Sequence, residues 1–230
     1  MPAEGPDPIA AVVARMEAIG AGLSGDDGVA CFNELYLAVT REVGAQAAAG
    51  NFADEAYLST LDVSFAELYF AAVDVDARGA AVPHAWAPLF EARGRKGVAA
   101  IQFALAGMNA HINHDLVLAL NTSCDRRGVA LKRNSAQHRD FLKVNHTLEQ
   151  VQERVKARYA HGLVGWADKS LGRLDDVVAA WKVARARDAA WTNAEALRAL
   201  RRVPRVRDDY LETLSRTVGF VSRALLVPTA

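Results

Sequence analysis

Two cysteines in 230 residues, Cys31 and Cys124, are too few for a disulfide framework, and with no CxxC pair there is no cysteine zinc knuckle. Each lies in an apolar helical context, so both are expected as free, buried thiols in a reducing compartment. An excess of either charge is also lacking, because 27 basic and 27 acidic residues cancel. That excludes the electrostatic footprint of a nucleic-acid binder and the acidic tail of a protein with a basic partner. The one dense basic run, Arg198 to Arg207, is followed at once by Asp208, Asp209 and Glu212 and reads as a solvated helix end. No GxGxxG follows a strand pattern, and there is no P-loop or GxSxG elbow, so no nucleotide cofactor is expected. No Asn-Gly or Asp-Gly turn joins alternating apolar runs, which removes the usual signature of a sheet. The opening Met-Pro-Ala-Glu-Gly-Pro-Asp-Pro lacks the basic-then-apolar order of a signal peptide, so the expected location is cytoplasmic.

What is present instead is apolar residues at helical spacing along nearly the whole chain. The stripes run Ile9 to Leu23, Phe32 to Val43, Leu58 to Ala72, Phe141 to Tyr159, Leu174 to Trp191 and Leu211 to Leu225, with a short helix around Trp86 to Arg93. Asp7-Pro8 opens the first as cap and first-turn proline. Asn134 and Gln137 look like a capping box before Phe141, and Pro204 is expected to end the helix that runs toward Arg201. Val98 to Cys124 is the longest apolar stretch, and Asp115 is its only formal charge. Gln102, Asn109, His111, Asn113 and His114 sit in its middle, too costly in lipid for a membrane span. The sequence therefore predicts a single all-α domain over 1–230: about seven helices bundled around one continuous buried helix at about 96–120.

Residues whose type contradicts their position mark the candidate site. Asp62 falls within the stripe Leu58, Leu61, Phe65 and Leu68, where a carboxylate must be paired, bonded or protonated. Its partner is expected to be an Arg or Trp of another helix, and Arg185, on a face shared with Trp181, Asp188 and Trp191, is a candidate. On the central helix His111 and Asp115 are four apart, His114 leans off the same edge, and Asn109 and Asn113 form a second polar pair. Three readings stand. The cluster is a hydrogen-bonded network that fixes helix packing. It is an acid–base pocket with His111, Asp115, Asn109 and Asp62 doing the chemistry. Or His111, His114 and Asp115 hold a divalent metal such as Zn, Fe or Mn. Phe65, Tyr69, Trp86, Met108, Asn113, His138, Phe141 and Asn145 are the expected pocket walls. His84, His146 and His161 are read as surface or capping residues.

The segment Phe103-Ala-Leu-Ala-Gly-Met-Asn-Ala-His-Ile-Asn-His-Asp-Leu116 resembles an uncharacterised actinobacterial family, a domain of unknown function. Asn33-Glu-Leu-Tyr-Leu37, Leu61-Asp-Val-Ser-Phe-Ala66, Asp140-Phe-Leu-Lys-Val-Asn145 and Val218-Gly-Phe-Val-Ser-Arg223 resemble it too. The resemblance implies no activity. A looser likeness, through the HxxxD pair His111 and Asp115, is to all-helical zinc phospholipases and nucleases. Those use more ligands and an N-terminal Trp amine, where this sequence has Met-Pro. The expected function is an enzyme that transforms a small, largely apolar molecule. The alternative is a non-catalytic binding or scaffold protein.

Overall fold

The computed structural model describes residues 7–163 and 182–228, with backbone alone for 152–163. Among these residues there is no strand. Helix α1 (Pro8–Ala21) starts as expected, with the Asp7 carboxylate accepting the Ile9 amide. Helices α2 (Gly28–Ala48) and α3 (Glu55–Ala77) are capped in the same way by Asp27 and Asp54. The buried Asp140 carboxylate adds a second anion at the start of α3 and accepts the amides of Ala53 and Asp54. After the short α4 (Ala87–Ala92) comes the central rod: α5 (Ala100–Ala110), a π-helical turn (His111–Asp115) and α6 (Leu116–Arg127). Gly128, at φ 65°, ends it in the left-handed conformation. Then follow α7 (Ala136–Leu163), α8 (Val183–Ala199), a 3-10 turn (Leu200–Arg202) and α9 (Pro204–Leu225).

The all-α architecture around a buried central helix is as the sequence predicts. Its details differ in several places, and at Pro204 the structure adds a helix start. The rod runs from 100 to 127 rather than from 96 to 120, because polar residues up to Arg127 continue the helix into solvent. The helix that runs toward Arg201 stops before Pro204 as expected, its end tightened into the 3-10 turn, and Pro204 also opens α9, where its missing N–H costs nothing. The cap of α7 is Ser135, whose hydroxyl accepts the His138 amide; Asn134 sits at φ 62° and donates its own amide to His138 Nδ1. Cys31 is half-buried rather than buried, while both cysteines are free. Helix α7 continues through Gly162 and Leu163, where a bend was expected to begin; the rest of that bend, 164–172, the residues Leu174 to Trp181, and the side chains of Tyr159 and His161 lie outside the description.

From Ala100 to Leu120 the rod is covered on every side: α2 and α9 pack on α5, and α3 and α8 on α6. Gly107 permits a close approach, since a Cβ there would overlap the Phe32 ring of α2. Because α2 sits so near, Phe32 and Tyr36 reach the ring of His111. No helix among the described residues is long and apolar enough to cross a membrane.

Candidate active site

The motif His111-Ile-Asn-His-Asp115 is the π turn itself. The Leu116 amide reaches back to the His111 carbonyl, five residues away, instead of four. Such one-turn widenings of an α-helix are rare and recur at functional sites. Here the wider turn gathers three donors on one carboxylate. His111 Nδ1 lies 3.0 Å from Asp115 Oδ2, His114 Nδ1 lies 2.8 Å from Oδ1, and Trp86 Nε1 donates to Oδ2 at 2.9 Å.

Burial alone would raise the Asp115 carboxyl, but the hydrogen bonds and charge of His111 and His114 outweigh it and hold the group below its ordinary value. Asp115 is therefore ionised and can only accept. His111 Nδ1 must then carry the hydrogen. Burial lowers the His111 imidazole against the pull of Asp115, so the ring is neutral at neutral pH. Its lone pair is on Nε2, on the side of the ring away from the carboxylate. Phe65 stacks flat on that ring, with centroids 3.5 Å apart and planes within 8°.

A cavity of about 60 Å³ opens beside His111, between α2, α3, the rod, α7 and α8. That volume admits a few waters or a small ligand group. Three of its lining side chains carry buried polar atoms without a hydrogen bond among the described residues: His111 Nε2, Asp62 Oδ2 and Tyr36 Oη. Tyr36 Oη is next to Thr40 one turn on but forms no bond of good geometry with it. Burial pushes the Asp62 carboxyl up to about 7, with Arg187 pulling the other way. Burial likewise lowers the Arg187 guanidinium to about 9, and Asp62 opposes that shift. At neutral pH Arg187 is charged, and Asp62 sits near the middle of its titration.

The expected site residues divide accordingly. His111, Asp62, Phe65 and Met108 line the cavity. Trp86 and His114 stand behind, both spent on Asp115. Phe141 and Asn145 hold Arg187: Asn145 Oδ1 accepts its Nε at 2.7 Å, and Phe141 gives its carbonyl and its ring face. The others are elsewhere. Asn109 is not with His111, because two residues along a helix turn a side chain to another face. Its amide donates to the Val218 carbonyl and Ser222 Oγ of α9 and accepts from Asn113. Tyr69 gives its hydroxyl to Asn33. His138, in the first turn of α7, accepts the Asn134 amide and packs on Trp191. The candidate partner for Asp62 is corrected as well: Arg185 is exposed, and Arg187 faces the carboxyl without forming an ion pair.

Arg187 and Tyr36 are the functional candidates that the sequence reading missed. Arg187 lies four residues before Trp191, so its place on the buried face was available from spacing. Tyr36 was visible only as one more member of an apolar stripe. For a metal, His111 and His114 turn their Nδ1 atoms to different oxygens of one carboxylate. Among the described residues no group of three or more His, Cys, Asp or Glu is placed to hold an ion.

A family model described as a family of unknown function (DUF5995) matches residues 9–228. Neither a curated protein nor a solved structure matches the chain.

Proposed function

This chain belongs to that family of unknown function, and from its geometry we propose an enzyme that performs general acid–base chemistry on a small, largely apolar molecule in the cavity beside His111. His111 Nε2 is the base. Asp115 fixes its tautomer and stabilises the imidazolium that forms when it takes a proton. Asp62, raised toward neutrality, faces it from the neighbouring helix as a hydrogen-bond donor that holds the bound molecule. The observation that carries this reading is the gathering around one cavity of three buried polar atoms, from three helices, that have no hydrogen bond among the described residues. Interiors leave few such groups unsatisfied, and unsatisfied groups call for an explanation in a missing partner. A cytoplasmic setting suits the two free cysteines.

The test needs no prior substrate. Wild-type protein and His111→Phe, which keeps a ring in the stack, are incubated with a small-metabolite extract and compared by mass spectrometry. A compound consumed by wild type and spared by His111→Phe is the expected result. If the two treated extracts are indistinguishable across repeated conditions, the acid–base reading fails and a packing or binding role remains.

A further inference from the structure

We propose that the cavity takes a small apolar monocarboxylate, its carboxylate set between Arg187 and Asp62; this deepens the preceding reading by naming the ligand class of the same site.

Arg187 carries the argument. Its side chain is about 95% buried, at 5% relative exposure. Its hydrogen bonds go to neutral acceptors, Asn145 Oδ1 at 2.7 Å and the Phe141 carbonyl at 2.9 Å. The guanidinium carbon lies 4.0 Å from the centre of the Phe141 ring. These contacts orient the group and stabilise its charge in part, but none neutralises it. Among the described residues no carboxylate stands within ion-pair distance. A charge removed from water needs a counter-ion, and a guanidinium is shaped to grip a carboxylate. The missing partner is an anion.

Asp62 fixes the kind of anion. It faces Arg187 across the cavity, with Oδ2 unbonded. Ionised, it would repel an incoming anion. Its carboxyl titrates near neutrality, so it takes up a proton at little cost and becomes a hydrogen-bond donor to a ligand carboxylate. One guanidinium and one carboxylic acid match a single negative charge. Apart from His111 and the Tyr36 hydroxyl, the rest of the wall is apolar, including Val39, Leu58, Met108, Ile112 and Leu148, and among the described residues it holds no second permanent cation for a dianion. The small volume selects a short chain or a single ring, with His111 beside the acid's neighbouring carbons.

Calorimetric titration of the full chain with hexanoate and benzoate tests this against three isosteres: hexanamide, benzamide and hexylamine. The acids are expected to bind at least about tenfold more tightly than the amides, with no binding of the amine. Affinity for the acids should fall about tenfold per pH unit above pH 7, as Asp62 loses its proton. Asp62→Asn should keep binding and flatten that slope, and Arg187→Met, if folded, should lose binding about tenfold or more. Amides or the amine binding as well as the acids would overturn the assignment, as would the absence of any acid binding. An unchanged pH slope in Asp62→Asn would do the same and does not depend on Arg187→Met folding. Acid binding without chemical change supports the ligand class and counts only against the acid–base reading.

Discussion

Two polar clusters leave the same buried rod on different sides, and they differ in completeness. Toward α9, Gln102 donates to the carbonyls of Leu225 and Val227 and accepts the Ala99 amide. Asn109 reaches Val218 and Ser222, and Ser222 returns a bond to the Ala106 carbonyl. Each donor there meets an acceptor, and the result is a seam that fixes how α9 docks. Toward α2, α3 and α8, the cluster is complete only on its inner side. Asp115 is saturated by His111, His114 and Trp86. Beyond it, among the described residues, His111 Nε2, Asp62 Oδ2 and Tyr36 Oη form no hydrogen bond. Polar residues in a core thus carry two meanings, told apart by whether their hydrogen bonds close. A closed network specifies packing, and an open one beside a cavity is poised for a partner that comes from outside.

The comparison can be broken at its inner anchor first. Asp115→Ala strips the acceptor from three buried donors, and equilibrium denaturation should register a loss on the order of 3–5 kcal/mol. A loss below about 1 kcal/mol would mean that the carboxylate anchors nothing. Next comes the closed seam: Asn109→Ala should cost about 1–3 kcal/mol, because the Val218 carbonyl, Ser222 and Asn113 lose a partner. It should leave acid binding in the cavity unchanged, and altered binding would show that the two clusters are one.

Asp62→Asn sharpens the contrast through pH. The unfolded chain ionises this carboxyl near its ordinary 3.8, while the folded chain keeps the proton to about 7. Between those values the unfolded state sheds its proton first, so wild type loses stability as pH rises, and above 7 the loss is complete. The asparagine variant should therefore gain on wild type from pH 4 to pH 7 and keep a lead on the order of 1–2 kcal/mol at pH 8, a figure reduced because Asp62 is only half-buried. A constant difference across that range in thermal or urea unfolding would contradict the raised carboxyl. The smallest effect is expected from His111→Phe. Asp115 keeps two donors and the aromatic stack survives, so the cost should be about 1 kcal/mol or less. A much larger loss would move His111 from the open cluster to the closed one.

Helical spacing, capping residues and the absence of strand signals determined from the sequence alone that this is an all-α protein built on a buried rod. They also determined that His111, His114 and Asp115 would be buried together. Local pattern suffices for that, because helix formation and the choice of an apolar face depend on residues within a few turns. The tertiary structure decided the rest. Nothing in His-Ile-Asn-His-Asp distinguishes a π turn from an α turn; packing of α2 and α3 against the rod, and Trp86 reaching Asp115 from beyond α3, accompany the wider one. Spacing from Trp191 puts Arg187 rather than Arg185 on the buried face of α8, but only the docking of α8 against α3 brings it opposite Asp62. Asn109 and His111 are two residues apart in sequence, yet one closes a seam with α9 and the other opens onto a cavity. Whether a buried polar atom finds a partner depends on distant helices, and residue spacing within one helix does not encode that.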